Sequence, residues 1–178
     1  MFNSWGDRQA CNAAASVVDP KSVPAGPVSG YGHDQLVNAA IIAKVAADRG
    51  LPGRAQLIGI MTSMGESSLV NIGYGDDING VTNPDGTATC SLGLFQQQWC
   101  LGWGTRDQVM DPGYAAGAFF DRLAGIAGWE SMEPTLAINR VQRNSDPYHY
   151  AKFESTANEI LAALGGVKPG SGGCGGNG

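Results

Sequence analysis

One glutamate has a position that could support acid catalysis. Glu66 follows an apolar helical stretch that ends at Met64, and it directly precedes the polar residues Ser67 and Ser68. Apolar surroundings disfavour the charged form of a carboxyl and so raise its pKa. A Glu that stays protonated near neutral pH is the general acid that cleavage of a glycosidic bond requires. Taken alone, however, Glu66 is more typical of a surface residue near a helix end.

Two aspartates are candidates for a second carboxylate. Glycosidases that use a carboxylate pair hold the two groups about 5 to 9.5 Å apart, a separation that sequence does not reveal. Asp76 and Asp77 lie in the polar stretch after Glu66, with Asp85 further along. Aspartates in loops commonly bond to their own turn, and this role is the expected one for each of the three.

Four cysteines are present, and their spacing favours disulfides over a metal site. They occur at Cys11, Cys90, Cys100 and Cys174, so the close Cys-x-x-Cys spacing of a zinc site or redox dithiol does not occur. Four cysteines allow three pairings. The simplest pairing joins Cys90 to Cys100 and Cys11 to Cys174, and the alternative is four free thiols.

Composition and charge exclude several classes of partner. The chain has 178 residues and a net charge of -5, so it has no basic field for nucleic acid or an anionic membrane surface. No stretch approaches the roughly 20 apolar residues that span a bilayer, and the first residues do not have the pattern of a signal peptide. The two histidines, His33 and His149, lie in no ligand motif, so we expect neither a metal nor another cofactor.

The chain divides into a helical core and two irregular ends. Prolines and glycines before His33 predict an irregular lead-in over 1–32, and a core domain follows over 33–164. Residues 165–178 have the composition of a flexible linker, so we expect a further wall-binding or catalytic domain in the parent protein.

Helical periodicity predicts a mainly-α fold. A polar stretch over 71–89 interrupts the helices, and Asn83-Pro84-Asp85-Gly86 predicts a turn there, in a small hairpin. Caps, prolines and apolar spacing predict helices over His33–Arg49, Pro52–Met64, a stretch after Ser91, Asp111–Leu123, Pro134–Arg143 and Pro147–Leu164.

Four ordered motifs resemble those of soluble lytic transglycosylases and goose-type lysozymes. In that family the motifs are Glu-Ser, Gly-Leu-Met-Gln, Ala-Tyr-Asn and an isolated Tyr. Here Phe95 replaces the Met, and Val141-Gln142 replaces Tyr-Asn. The matching segments are Glu66-Ser67, Ser91 to Gln96, Ala137 to Gln142, and Tyr150.

The closer resemblance is to lysozyme-like domains of actinobacterial cell-wall proteins and their phages, and three segments carry it. They are Tyr74-Gly75-Asp76, Ser91 to Gln97, and Gly102 to Thr105. This resemblance covers roughly 33–164. It implies an α+β lysozyme-like fold, mainly α, with a small polar hairpin or loop region beside the active-site cleft. It also implies an extracellular or cell-wall location, with a phage endolysin or a virion-associated enzyme among the forms expected.

The resemblance implies cleavage of the MurNAc-GlcNAc β-1,4 bond in peptidoglycan glycan strands, with Glu66 as the general acid. The enzyme would be a muramidase, or a lytic transglycosylase in which the 6-hydroxyl of the substrate attacks and leaves an anhydro sugar. Tyr150 would lie near Glu66 and hold it, although packing within a helix is an equal alternative for this residue. The residues implied to bind substrate are Ser67, Gly93, Leu94, Phe95, Gln96, Gln97, Gln142 and Tyr150.

Other interpretations of the same residues remain open. Trp99 and Trp103 could stack on sugar rings or pack in the core. The segment around Cys90 is similar to the nucleophile segment of papain-like peptidases, with His149 as the candidate partner, but a disulfide would consume the thiol. A further alternative is a non-catalytic wall-binding domain or a structural part of a phage tail.

Overall fold

The computed structural model describes residues 14–165. The part of the chain that it describes is mainly helical, which confirms the predicted class. The α-helices are α1 (His33–Asp48), α2 (Gly53–Ser67), α3 (Arg106–Val109), α4 (Pro112–Ala124), α5 (Pro134–Gln142) and α6 (Glu154–Ala163). Residues 166–178 of the predicted linker over 165–178 lie outside the described residues, as do the predicted Cys11 to Cys174 bridge and the lead-in before residue 14.

Helix α2 is the centre of the fold. It contacts α1, α4, α5 and α6. Its residues from Arg54 to Met64 are all buried, which is the pattern of a helix that is covered on every side. Glu66 therefore emerges at the carboxyl end of the most enclosed helix of the domain.

Helix α2 continues past the predicted end at Met64. The backbone N–H of Ser68 donates to the carbonyl of Met64 at 3.1 Å, and that of Leu69 donates to the carbonyl of Ser63 at 3.3 Å. Ser68 takes the left-handed conformation with φ of 55°, and this closing pattern satisfies the last carbonyls of the helix. The apolar pattern stops before the helix does, which is why periodicity placed the end too early.

The predicted helix directly after Ser91 is wrong. The chain forms an antiparallel hairpin there, in which β1 (Ser91–Leu92) pairs with β2 (Gln97–Gln98). Gly93 with φ of 79° and Gln96 with φ of 47° reverse the chain, and both values are incompatible with a right-handed helix. Helical structure resumes with a 3-10 turn at Trp99–Leu101 and then α3.

Capping residues, prolines and short turns determine where α4, α5 and α6 begin or end. The Asp111 side chain accepts a hydrogen bond from the backbone N–H of Tyr114 at 2.7 Å, and Pro112 occupies the first turn of α4. Helix α5 begins at Pro134 and stops before Arg143, whose φ is 55°. The last predicted helix begins later than expected, because a 3-10 turn at Ala151–Phe153 precedes α6.

The polar stretch between α2 and β1 contains short local structure. Asp76–Asn79 forms a 3-10 turn, and Thr82 pairs with Ala88 across the predicted turn. The Asp85 carboxylate accepts from the backbone N–H of Thr87 at 3.0 Å, so Asp85 serves the turn. Of the helices in the described range, none combines the length and the apolar character needed to cross a membrane.

A glycine in α2 sets the distance between three helices, and this generates a prediction. A Cβ at Gly59 would lie 2.7 Å from Ile42 Cγ2 on α1 and 2.7 Å from Phe120 Cζ on α4. Both neighbours are fully buried, so neither has room to move. We expect Gly59→Ala to lower the free energy of unfolding by about 1 to 3 kcal/mol, measured by urea denaturation.

The matched control is Gly117→Ala in α4. A Cβ at Gly117 would lie 2.4 Å from Arg49 Nη2, which is the end of a flexible exposed side chain. The gain in helix propensity, about 0.5 to 1 kcal/mol, therefore offsets the cost. Equal destabilisation by the two substitutions would contradict the packing described here.

Candidate active site

A buried tyrosine holds the carboxyl of Glu66. The hydroxyl of Tyr150 donates a hydrogen bond to Glu66 Oε1. The Tyr150 side chain is fully buried. Burial and the neighbouring Glu66 charge raise the pKa of the Tyr150 hydroxyl, so this group stays protonated and remains a donor.

Gly65 gives Tyr150 the space to reach Glu66. A Cβ at Gly65 would lie 2.6 Å from Cδ1 of the Tyr150 ring, closer than any side chain tolerates. The tyrosine ring therefore packs directly on the backbone of α2, one residue before the glutamate. The role of Gly65 is not among the predictions from sequence, although a glycine inside an apolar helix is itself a signal of close packing.

Gln142, at the end of α5, is the second donor to Glu66. Its side-chain amide donates to the carbonyl of Phe95 at 3.0 Å, and its hydrogen bond to the Glu66 carboxyl lowers the pKa of that group. An amide has two N–H groups, so one side chain can serve both partners. Gln142 thus joins α5, the hairpin and the end of α2.

Burial is the dominant influence on Glu66. It raises the pKa of the Glu66 carboxyl above its ordinary value, against the opposing effects of the bonds from Tyr150 and Gln142 and the charge of His149. The negative charge of Asp76 adds to the rise. A carboxyl in this environment keeps its proton to higher pH than an exposed Glu, while the donors prepare a place for the anion.

His149 and Asn144 complete the surroundings of Tyr150. The His149 ring meets the Tyr150 ring edge to face with centroids 4.8 Å apart, and its Nε2 lies 3.3 Å from the carbonyl of Gly65. A hydrogen bond from Asn144 favours the ionised hydroxyl and partly opposes the rise in the Tyr150 pKa. Neither residue is predicted beside Glu66 from the sequence, although His149 is the chain neighbour of Tyr150.

Ser67 fastens the hairpin to α2. Its Oγ donates to the carbonyl of Leu94 at 2.8 Å and lies 3.2 Å from the carbonyl of Ser63. The hydroxyl is therefore used inside the protein. Ser67 thus positions the segment next to Glu66, and the substrate contact that the resemblance implies for Ser67 stays a prediction.

Three side chains implied to bind substrate are instead buried. Leu94 and Phe95 are fully buried, and the Phe95 ring stacks on Phe119 with centroids 5.1 Å apart. Gln97 is 2% exposed, and its amide donates to the carbonyl of Ala115 at 2.9 Å. In this conformation Leu94, Phe95 and Gln97 have no side-chain surface for a ligand, because they face the core that supports the hairpin.

Gly93 is also internal. A Cβ at Gly93 would lie 2.3 Å from the carbonyl oxygen of Val109. Gly93 therefore packs against the backbone at the end of α3, where a side chain would not fit. Because its φ is 79° as well, a side chain at Gly93 is excluded on two grounds.

Gln96 is the partly exposed member of the hairpin turn. Its Nε2 donates to the carbonyls of Tyr74 at 3.2 Å and Gly93 at 3.1 Å. Gly75 packs against Ser91 and the Gln96 amide. These contacts hold the Tyr74-Gly75-Asp76 segment against the hairpin. The negative charge of Asp76 in this segment raises the pKa of Glu66.

The two candidate second carboxylates differ in their relation to Glu66. Asp76 and Asp77 are both exposed and begin the same 3-10 turn. Among the described residues, Asp76 and not Asp77 contributes to the shift in the Glu66 pKa. Asp76 is thus the better placed of the two. Within residues 14–165, no group of three or more His, Cys, Asp or Glu side chains is arranged to hold a metal ion.

The Cys90–Cys100 disulfide closes the hairpin from outside. The bond forms as predicted, with the two Cα atoms 6.2 Å apart. It consumes the Cys90 thiol that a papain-like peptidase would need. The neighbouring tryptophans differ, since Trp99 is 37% exposed whereas Trp103 is partly buried against the core.

Comparison of this chain with family models and with curated proteins gives no match. A surface groove that includes Ala47, Leu51 and Pro52 lies at the opposite end of α2. The titratable groups gathered around Glu66 make the carboxyl end of α2 the stronger candidate for chemistry.

The raised pKa of Glu66 predicts a cost in stability. Folded Glu66 holds its proton over a pH range in which the unfolded chain has released it, so the free energy of unfolding falls as pH rises from about 4.3 through the folded pKa. The Glu66→Gln variant keeps an acceptor for Tyr150 and has no charge to bury. We expect it to be more stable than the wild type at pH 7, by about 1.4 kcal/mol for each unit of pKa elevation.

Urea denaturation at several pH values measures this difference, which should disappear below about pH 4. Glu133→Gln, which removes an exposed carboxylate at the start of α5, is the control and should gain no comparable stability. A Glu66→Gln variant less stable than the wild type at pH 7 would show that the ionised carboxylate is the favoured form.

Proposed function

We propose that this chain cleaves the MurNAc-GlcNAc β-1,4 bond of peptidoglycan glycan strands, with Glu66 as the general acid. The observation that carries the proposal is the Glu66 carboxyl itself, whose pKa is raised by burial and which accepts a hydrogen bond from Tyr150. The ordered motifs from Glu66 to Tyr150 support the proposal because they are those of peptidoglycan-cleaving lysozymes and transglycosylases.

The acid step uses both features of the site. Glu66 donates its proton to the glycosidic oxygen as the bond to the sugar breaks, and the departing sugar leaves as a neutral alcohol. The carboxylate that remains is stabilised by the donors Tyr150 and Gln142 and by the charge of His149. Burial therefore favours the starting form of the acid, and the hydrogen bonds favour its product.

The second step has two routes. In a muramidase, a second carboxylate either activates water or attacks the sugar before water does. Asp76 is the candidate because its negative charge raises the pKa of Glu66. In a lytic transglycosylase, the 6-hydroxyl of the substrate attacks and Glu66 itself accepts the proton. The donors around Glu66 serve this second route as well, since they stabilise the carboxylate that acts as base.

The proposed setting is the bacterial cell wall. The helical domain with a small hairpin beside Glu66 suits a lysozyme-like fold, and a disulfide at Cys90–Cys100 suits an oxidising environment. We therefore propose an extracellular or wall-associated enzyme of the kind that acts in cell-wall turnover or phage lysis. A metal or an organic cofactor has no step to perform in this chemistry.

Digestion of purified peptidoglycan, with mass spectrometry of the soluble products, tests the proposal. We expect Glu66→Gln to lose at least about 100-fold of the cleavage rate, because the general acid is removed. Glu133→Gln should retain the wild-type rate. Product ends identify the route: reducing muramic ends indicate a muramidase, and anhydro ends indicate a lytic transglycosylase.

Two further results of the same digestion have defined meanings. Free peptides in place of cut glycans would replace the proposal with a peptidase, and wall binding without products would replace it with a binding domain. An equal cleavage rate for Glu66→Gln and the wild type would remove Glu66 as the acid. With reducing products, Asp76→Asn should slow cleavage, whereas with anhydro products it should have little effect.

A further inference from the structure

The turn that follows the proposed acid has an unusual backbone. Ser68 and Leu69, two and three residues after Glu66, have φ of 55° and 61°. Residues other than glycine rarely adopt this left-handed conformation, because the Cβ atom comes too close to the following carbonyl oxygen. Two such residues in succession persist only where contacts with the rest of the fold keep them in place.

Two side chains of α1 bind the carbonyls of this turn. Gln35 Nε2 donates to the carbonyl of Ser68 at 2.7 Å, and Asn38 Nδ2 donates to the carbonyl of Leu69 at 2.9 Å. Residues three apart lie on the same face of a helix, so α1 presents both amides to the turn. Gln35 Oε1 also accepts from the backbone N–H of Gly32 at 2.8 Å, which fixes the orientation of its amide. We refer to Gln35 and Asn38 together as the α1 clamp.

The same turn is held by the core and by the hairpin. The side chain of Leu69 is fully buried among the core residues. Three residues further on, the carbonyl of Ile72 accepts from the backbone N–H of Gly93 at 2.8 Å. The turn is therefore fixed on both sides, and its carbonyls are left to the α1 clamp.

The α1 clamp acts on the last turn of α2, which contains Glu66. Two backbone hydrogen bonds close this turn, from Ser68 to the carbonyl of Met64 at 3.1 Å and from Leu69 to the carbonyl of Ser63 at 3.3 Å. Helix ends fray readily. A relaxation of Ser68 and Leu69 to ordinary φ would break both bonds, and the Glu66 side chain would lose its fixed direction.

We propose that Gln35 and Asn38 are positioning residues of the reaction, which hold Glu66 at the glycosidic bond through the Ser68-Leu69 turn. The inference rests on the proposed function, because that function supplies the reaction. The two amides bind backbone carbonyls of the turn, so they act on Glu66 through the backbone. A displacement of about 1 Å in a reacting group costs about 100-fold in rate, so partial loosening of the turn gives a measurable loss.

Asn38→Leu tests the inference. Leucine is close to asparagine in size and favours a helix more strongly, but it has no donor for the carbonyl of Leu69. With soluble glycan strands as the substrate, we expect kcat to fall about threefold to tenfold while KM stays unchanged. The pKa of Glu66, measured by ¹³C NMR, should fall towards its ordinary value, because a loosened turn admits water to the carboxyl.

Gln35→Glu is a second variant of the α1 clamp. Its carboxylate keeps an acceptor for the backbone N–H of Gly32, so the start of α1 stays capped. It has no donor for the carbonyl of Ser68. We expect the same fall in kcat with KM unchanged, and this comparison remains informative if Asn38→Leu does not fold.

Asn158→Leu is the matched control. Asn158 Nδ2 donates to the carbonyl of Glu154 at 3.1 Å within α6. The same substitution there removes the same kind of bond without a change at the Ser68-Leu69 turn. It should alter neither kcat nor the pKa of Glu66.

Ser68→Gly provides a rescue. Ser68 is exposed, and glycine adopts the left-handed conformation without strain. The turn then depends less on the α1 clamp, so the double variant Asn38→Leu/Ser68→Gly should recover most of the kcat that Asn38→Leu loses. The pKa of Glu66 should return with it.

The outcomes separate this inference from the proposed function. A wild type that cuts no glycan, with a Glu66 pKa that falls in Asn38→Leu and returns in the double variant, would support the α1 clamp and remove the cleavage proposal. A wild type that cuts, with Asn38→Leu less stable in urea but equal to Asn158→Leu in kcat and in the Glu66 pKa, would overturn the α1 clamp alone. A loss of kcat that Ser68→Gly does not restore would overturn it too.

Discussion

The candidate active site depends on the partial removal of one carboxyl from water. Burial of Glu66 penalises its charge, and only the hydrogen bonds from Tyr150 and Gln142 and the charge of His149 limit that penalty. Neither influence alone would give a useful acid, because burial without donors would leave the anion unsupported after proton transfer. Donors without burial would give an ordinary ionised Glu at neutral pH.

The fold maintains both the burial of Glu66 and the hydrogen bonds to its carboxyl. Helix α2 runs through the core and delivers Glu66 at its end, where Gly65 admits the ring of Tyr150. The hairpin is fixed to the same end through Ser67 to Leu94, and the disulfide closes the hairpin on its outer side. Each link is a contact between segments distant in sequence, so the site is a product of tertiary packing.

The sequence predicts those helices whose ends are set by capping residues and whose faces are set by local apolar spacing. The Asp111 cap and Pro112 gave the start of α4, and the apolar spacing in His33–Asp48 gave α1. The hairpin after Ser91 was not predicted, because it depends on positive φ angles at Gly93 and Gln96. The spacing of apolar residues does not reveal the sign of a φ angle.

The site was predicted in part for a similar reason. The motif order drew attention to Glu66 and Tyr150, which the structure brings into contact. It did not distinguish residues that face the site from those that support it, so the burial of Phe95 and Gln97 was not foreseen. Neighbours such as His149 are set by packing between α2 and the segment before α6, which no local pattern encodes.

Titration of the Glu66 side-chain carboxyl by ¹³C NMR is the most direct measurement of the central claim. The resonance is assigned by its absence from Glu66→Gln. We expect a pKa above the ordinary Glu value of about 4.3, and a further rise in Tyr150→Phe, because that variant loses a donor that favours the anion. A Glu66 that titrates at or below the ordinary value would contradict the account.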